Sequence, residues 1–309
     1  MRCWLALLPL LLNVAAQHAA AAVPAQCPPQ VLAVAASSAE PDRGMLWRLR
    51  RDGHDSYLFG SLHIGRPAWA QPGPALHQAL QDTEVLALEL DLSDPATQAA
   101  LARTPHLAKP LTAAVRARLA AQMQAACVPA QVLASLHPLL QLSHLTVLAG
   151  RWDGFDSAFG QEVQLLAFAH SQGRQVVALE RVEDQLQALI PTDTAAVQRS
   201  IEDGLSQLEQ GSVRDPMRRL ALAWARGDLS ELQNYAQWCD CVHSEDERRW
   251  LRRLNDERNP QLSQRIAALH GQGRRVLAAV GALHMSGPQA LPLLLAKDGF
   301  EVTRIAAER

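Results

Sequence analysis

One short motif occurs twice in the chain, and it constrains the fold more than any other feature. An apolar run, then Gly-x-Leu-His and a further Gly, occupies residues 58–65 and again residues 280–287. Each apolar run predicts a buried strand whose glycine lets the backbone pass close to a neighbour. His63 and His284 follow where strand gives way to loop, which is where open α/β sheets hold their ligands. The two histidines can share a site only if the fold brings both strand ends together.

The remaining segments predict an α/β scaffold around these strands. The sequence pattern predicts a β-hairpin with strands at residues 45–51 and 56–62, because the Asp-Gly pair between them suits a turn with positive φ. Further buried strands are expected at residues 85–90, 175–179, 275–280 and 300–305, and the segments between them have helical periodicity. We therefore expect a central mixed sheet flanked by helices. Loop, helix and strand follow each motif histidine, so the chain has two weakly repeated halves with a helical insertion between them.

Two carboxylates fall at predicted strand ends, as the two histidines do. Glu89 and Glu180 each close an apolar strand. With His63 and His284 at the same sheet edge, they would suit a divalent transition metal with open positions for water and substrate. Such a metal lowers the pKa of bound water, and a spare carboxylate can accept its proton. Glu180 has a simpler interpretation, a salt bridge with Arg181 or another cation.

Other assignments of the same residues remain open. A single histidine after a strand is more often a hydrogen-bonded structural residue than a ligand. Ser61 lacks the strand-turn-helix context in which a serine becomes a nucleophile. Arg258 and Asn259 lie between two predicted helices. Arg258 there could stabilise an oxyanion, although an arginine at a helix end is usually solvated.

The N-terminal segment indicates export. A charged second residue, an apolar run over residues 4–16 and small residues at 19–22 are typical of a signal peptide, which we place at residues 1–25. A flexible lead-in at 26–42 and a single domain at 43–309 follow. No later stretch has the roughly 18 uninterrupted apolar residues of a membrane span. We expect a periplasmic or secreted protein without a membrane anchor after cleavage. The net charge of −2 gives no basic surface for nucleic acid.

Export changes how the cysteines are interpreted. Cys27, Cys127, Cys239 and Cys241 remain after signal cleavage, and an even number in an oxidising compartment favours two disulfides. Cys239 and Cys241 are so close in sequence that pairing would strain the chain, so each is expected to reach Cys27 or Cys127. The alternative is a metal clasp in which Cys239, Cys241 and His243 bind one ion.

Five motifs together resemble one known family. The motifs are residues 58–65, 86–91, 178–180 with Gln185, 258–259 and 280–287. They are similar to the TraB/GumN family, which is related to the Tiki metalloproteases, over about residues 46–305. The resemblance implies an α/β fold with a central sheet. The wider superfamily includes erythromycin esterases and haem-binding proteins, so fold analogy alone does not separate hydrolases from binding proteins.

The resemblance also implies roles for particular residues. It makes His63, Glu89 and His284 both the catalytic residues and the ligands of a divalent metal such as Mn or Co, and we expect Mn, Co or Zn as the bound ion. Arg258 and Asn259 would support them or contact substrate, and Glu180 is grouped with these two.

These observations lead to one favoured function and two alternatives. The favoured function is an exported metal-dependent hydrolase, peptidase-like, acting on a peptide or small-molecule substrate. The first alternative is a non-catalytic periplasmic binding protein for haem, a peptide signal or a polysaccharide-related ligand. The second is an accessory factor in which the histidines only hold the two halves together. Apolar residues on the helix faces could serve a homodimer as well as a core.

Overall fold

A computed structural model describes residues 27–33, 40–103, 107, 110–239, 241–242 and 244–307. The predicted signal peptide lies outside these residues. One six-stranded sheet is formed by β1 Met45–Arg51, β2 His54–Ser61, β3 Val85–Leu88, β4 Gln175–Ala178, β5 Val276–Gly281 and β6 Glu301–Ile305. The strand order is β4-β3-β5-β2-β1-β6. Each strand overlaps a segment that the sequence pattern predicts.

The sheet is mixed: three strands pair antiparallel at one side, and four strands are parallel to one another. β1 and β2 form the antiparallel hairpin that the Asp-Gly pair predicts, with φ of 52° at Asp52 and 82° at Gly53. β6 adds to the other side of β1, also antiparallel. β2, β5, β3 and β4 run parallel to one another. Four strands therefore end at the same edge of the sheet.

Helices connect these strands and fill the predicted insertion. They are α1 Pro74–Asp82, α2 Pro95–Ala102, α3 Ala113–Ala125, α4 Ala130–Leu133, α5 Pro138–Ala149, α6 Gln161–Ser171, α7 Val182–Leu189, α8 Thr194–Gln210, α9 Arg214–Ala225, α10 Leu229–Gln233, α11 Tyr235–Trp238, α12 Glu245–Leu254, α13 Asn259–Gly271 and α14 Leu291–Lys297. Short 3-10 helices occur at Pro67–Trp69, Gly150–Asp153, Ser157–Phe159 and Ala282–Met285. The predicted capping box opens α12, where Ser244 and Glu247 bond reciprocally.

Two groups of buried apolar side chains hold the molecule together. The larger surrounds the sheet and includes the fully buried Trp224 of α9. Its indole Nε1 donates to the carbonyl of Gly60 at 2.7 Å and so ties α9 to the end of β2. The smaller group lies among α2, α3, α5, α7 and α8. The helical insertion thus has a core of its own beside the sheet.

The two predicted halves share an order of elements but not a position in the sheet. β2, α1 and β3 follow one another as β5, α14 and β6 do. However, β3 pairs in parallel with β5 near the centre, whereas β6 pairs antiparallel with β1 at an edge. The equivalent feature of the two halves is therefore the strand end carrying the histidine.

The expected cysteine pairing is wrong. Cys27 pairs with Cys127, with Cα atoms 5.4 Å apart, and Cys239 pairs with Cys241, with Cα atoms 5.1 Å apart. Close sequence spacing does not prevent the second pair, because the chain turns after α11 and brings the two Cα atoms within the usual disulfide range. Because Cys239 and Cys241 are bonded to each other, neither can bind a metal as a thiolate, and the alternative of a metal clasp is not supported. His243 lies outside the described residues.

Among the residues that the structure describes, no helix has the length and apolar character needed to span a bilayer.

Candidate functional site

Four predicted site residues lie side by side at the carboxyl edge of the parallel strands. Glu180, Glu89, His284 and His63 follow β4, β3, β5 and β2, in the order in which those strands neighbour each other. The backbone N–H of Glu180 donates to the carbonyl of Glu89 at 3.0 Å, so the two carboxylates begin from adjacent positions. Ser61 at the end of β2 pairs with Gly281 at the end of β5. Strand register alone therefore brings these groups together.

Arg258 lies between the two carboxylates. Its Nε and Nη2 donate to the two oxygens of Glu180 at 2.9 and 2.5 Å, and Nη2 also donates to Oε2 of Glu89 at 2.6 Å. Its Nη1 donates to the carbonyl of Leu254 at 2.9 Å and lies 3.3 Å from Nε2 of His284. The side chain is 13% exposed. Glu180 therefore pairs with another cation, as one of its interpretations predicted, while Arg181 pairs with Glu183 instead.

Glu89 accepts hydrogen bonds on both oxygens. Oε1 accepts from the backbone N–H of Gly281 at 2.7 Å, and Oε2 accepts from Gln185 at 3.1 Å. A Cβ at residue 281 would lie 3.2 Å from Oε1, so the glycine of the second motif allows this close approach. Burial alone would raise the pKa of Glu89, but Arg258 and the neighbouring histidines lower it well below its ordinary value. Glu89 is thus a buried, ionised carboxylate.

Asn259 fixes the orientation and tautomer of His284. Its Nδ2 donates to the carbonyls of His284 and Gln289 at 3.2 and 2.8 Å, so its Oδ1 must be the atom 2.5 Å from Nδ1 of His284. An amide oxygen only accepts, so Nδ1 carries the proton and Nε2 keeps a lone pair. Burial, together with the charge of Arg258, lowers the pKa of His284 to about 3. His284 is therefore neutral at physiological pH.

His63 has the opposite electrostatic environment because it contacts Glu162. Nδ1 of His63 lies 3.0 Å from Oε1 of Glu162, and the hydroxyl of Ser61 donates to the same oxygen. Burial would lower the pKa of His63, but the Glu162 carboxylate raises it to about 9. The hydroxyl of Ser61 thus donates to Glu162, and it makes no hydrogen bond to a histidine among the residues that the structure describes.

Glu162 is the site residue that sequence analysis missed. The loop carrying His63 contacts the start of α6, where the N–H of Gln161 donates to the carbonyl of Leu62 at 2.9 Å. A Cβ at Gly160 would lie 2.4 Å from the carbonyl oxygen of His63, so only glycine allows this contact. An acidic residue in the first turn of a helix is common, because it complements the helix dipole. Nothing in the local sequence therefore marks Glu162 as a partner of His63.

A small cavity opens between these groups. Its volume is about 40 Å³, and it is lined by both motif histidines, Glu89 and Arg258, with apolar walls from Leu220 and Leu254. Beside it lies a groove of about 270 Å³ that shares Asn255 and Leu283 with the cavity. The groove continues along α11 and the loop after the second motif.

The predicted metal ligands share this cavity, but they do not fit a metal as arranged. Each motif histidine uses Nδ1 for a protein contact, which leaves Nε2 as the ring nitrogen available for a ligand, as in many metal sites. However, Nε2 of His284 and Oε2 of Glu89 both face Arg258. Within the described ranges, no three His, Cys, Asp or Glu side chains are grouped so that they could hold a metal ion.

Comparison with known proteins identifies the family. The model of the TraB/PrgY/gumN family matches residues 45–304, which is most of the chain. No curated protein and no solved structure matches the chain. The protein therefore belongs to the TraB/PrgY/gumN family, as its motifs predict.

Proposed function

From this family membership and the geometry of the cavity, we propose that the protein is an exported hydrolase that cleaves an amide or ester bond of a peptide-like substrate. One observation carries the proposal. The two motif histidines are anchored through Nδ1 by acceptors on different helices, and both line one cavity. Two imidazoles held in this way can act as a base and an acid on the same bond.

His284 is the proposed general base. Its Nε2 lone pair is oriented by the Asn259 contact at Nδ1. The contact from Nη1 of Arg258 to Nε2 is 3.3 Å, which is slightly longer than an ordinary N–H···N or N–H···O bond. A water molecule in the cavity can therefore replace Arg258 at this nitrogen and transfer a proton to it as it attacks the substrate carbonyl.

His63 is the proposed general acid. Glu162 holds its imidazolium form, and Nε2 has no hydrogen-bond partner among the residues that the structure describes. That nitrogen can donate a proton to the leaving amine or alkoxide. Arg258 and Glu89 complete the site as a fixed ion pair, and the guanidinium can stabilise negative charge that develops on the carbonyl oxygen.

The neighbouring groove supports a substrate longer than a single small molecule. It includes Tyr235, Leu251 and Leu283 as apolar walls and Asp256 as a polar one. A peptide ligand suits both the hydrolase and the alternative of a periplasmic binding protein without turnover.

The cysteine pairs support the proposed export. Two disulfides suit an oxidising compartment such as the periplasm, and the N-terminal sequence predicts the route. The resemblance implies metal dependence, but the histidine and carboxylate side chains of the cavity do not fit a metal as they are arranged. Metal dependence is therefore not part of this proposal. The mechanism above uses only side chains of this chain.

Cleavage assays on residues 26–309 test the proposal. We would screen internally quenched peptide libraries and activated esters, with chelator and separately with Mn²⁺, Co²⁺ or Zn²⁺. We expect His63→Ala and His284→Ala each to lose roughly 100-fold or more of the activity. His77→Ala, which removes an exposed histidine of α1, should retain it. Peptide binding without cleavage in any condition would contradict the hydrolase and favour the binding protein.

A further inference from the structure

Arg258 makes the contacts that a bound metal would be expected to make. Its guanidinium bonds Glu89 and Glu180 and approaches Nε2 of His284. Two carboxylates and one imidazole nitrogen are a common ligand set for a divalent transition metal. In this chain, that set surrounds an organic cation.

The contacts of Arg258 are too many for a solvated arginine at a helix end. The residue precedes α13, and its side chain turns inward so that all three guanidinium nitrogens have protein acceptors. The carboxylates it contacts are 9% and 3% exposed in their side chains, for Glu89 and Glu180 respectively. Burying two carboxylates without a cation would be costly, and the charge of Arg258 offsets a large part of that cost.

Gln185 supports the same arrangement. Its Nε2 donates to Oε2 of Glu89 at 3.1 Å and to Oε2 of Glu180 at 3.4 Å. Those two oxygens also accept from Nη2 of Arg258. The carboxylate oxygens that a metal would need are therefore shared between an arginine and an amide, both of which only donate through these atoms.

We infer that Arg258 is a built-in cation that occupies the metal position of this site, so that Glu89, Glu180 and His284 bind no divalent metal while Arg258 is in place. This inference concerns binding and holds whether or not the cavity turns over a substrate. It also gives a direct consequence. The two carboxylates and the imidazole nitrogen are not grouped for a metal in the present arrangement of the described residues. With the guanidinium removed, these side chains can move towards one another and should gain affinity for a divalent metal.

Metal binding by the wild type and by Arg258→Ala tests the inference. Both proteins, freed of metal with chelator, are titrated with Mn²⁺, Co²⁺ and Zn²⁺ and followed by calorimetry and by the melting temperature. We expect no stoichiometric binding to the wild type, and about one equivalent bound to Arg258→Ala with a rise in melting temperature. The rise should disappear in Arg258→Ala/Glu180→Gln. Arg252→Ala, which removes an exposed arginine of α12, should behave as the wild type does.

The other outcomes overturn the inference. One equivalent of metal on the wild type, lost in His284→Ala, would show that Arg258 does not occupy the metal position. A folded Arg258→Ala protein that binds no metal would show that the carboxylates and His284 are not a latent ligand set. If Arg258→Ala does not fold, Arg258→Gln replaces it, because the amide retains part of the hydrogen bonding. Metal binding by Arg258→Gln would then support the inference, and a folded Arg258→Gln protein that binds no metal would overturn it.

Discussion

The two copies of the Gly-x-Leu-His motif have the same backbone role and opposite electrostatic surroundings. His63 and His284 both follow parallel strands that pair with each other, and both are anchored through Nδ1. The acceptor at His63 is the carboxylate of Glu162, whereas the acceptor at His284 is the amide of Asn259. The pKa of His63 is raised to about 9, and that of His284 is lowered to about 3. The motif positions each ring, and its surroundings set its charge: the Glu162 carboxylate for His63, and burial with the charge of Arg258 for His284.

This difference predicts opposite effects of pH on folding stability. The pKa of His63 is raised on folding, so its contribution is complete below about pH 6.5 and is lost as pH rises towards 9. The pKa of His284 is lowered on folding, so its contribution is complete above about pH 6.5 and is lost as pH falls towards 3. Each histidine therefore stabilises the protein most in the range where the other begins to lose its effect.

The largest expected effect comes from removing the cation that distinguishes the surroundings of His284. Arg258→Ala leaves Glu89 and Glu180 buried without their cation, which should cost about 3–5 kcal/mol of unfolding free energy in the absence of metal. The pKa of His284 should rise, because the positive charge beside it is gone. Urea unfolding and histidine NMR titration measure the two effects. Arg252→Ala should change stability by less than about 0.5 kcal/mol, and an equal loss in both variants would contradict the account.

Glu162→Gln should make His63 resemble His284. Without the carboxylate, burial dominates, so the pKa of His63 should fall from about 9 to below its ordinary 6.5. The loss of stability should be about 3 kcal/mol at pH 6 and should nearly vanish above pH 9.

The exposed substitution Glu257→Gln is the matched control for Glu162→Gln, because it removes the same charge from the surface. It should leave the His63 titration unchanged. If the pKa of His63 remained near 9 in Glu162→Gln, another group would have to hold its proton.

Asn259→Asp should make His284 resemble His63. A carboxylate at Nδ1 favours the imidazolium, so the pKa of His284 should rise by more than one unit. The carbonyls of His284 and Gln289 would lose their donor, which should cost about 1–3 kcal/mol. NMR titration with thermal unfolding measures both, and Asn234→Asp, on the surface, is the control. An unchanged His284 titration would refute the assignment of Asn259.

The smallest effect should come from Ser61→Ala. This change removes one hydrogen bond to Glu162 but leaves the carboxylate and its contact with His63. We expect a loss of about 1 kcal/mol and a shift of the His63 pKa by less than one unit. Ser171→Ala serves as the comparison, because its exposed hydroxyl bonds the carbonyl of Phe168 and the side chain of Gln172 and does not contact Glu162. A shift as large as that of Glu162→Gln would mean that the hydroxyl, and not the charge, controls His63.

Sequence patterns located the candidate site residues that follow strands, but they did not identify Glu162, which lies on a helix. His63, Glu89, Glu180 and His284 could be placed because parallel strands end at one edge, and that depends only on the order of apolar segments. Glu162 could not be placed, because its partner is set by how α6 packs on the loop after β2. Arg258 was singled out through the family motif, and the structure places it beside the other candidate residues, but its inward direction depends on tertiary packing.

The cysteines show the same limit. Spacing along the chain suggested that Cys239 and Cys241 would pair elsewhere, whereas the local turn after α11 allows them to pair with each other. The error came from treating sequence distance as spatial strain, which only the backbone path decides.

The most direct test of the account is an NMR pH titration of the two imidazole rings in the wild-type protein, with assignment by His63→Ala and His284→Ala. The account predicts that His63 remains protonated through neutral pH and titrates near pH 9. It predicts that His284 remains neutral down to at least pH 5, with its proton on Nδ1. Titration of both rings together near pH 6.5 would contradict the claim that Glu162 keeps His63 protonated while burial and Arg258 keep His284 neutral. A proton on Nε2 of His284 would contradict the claim that Asn259 sets its tautomer.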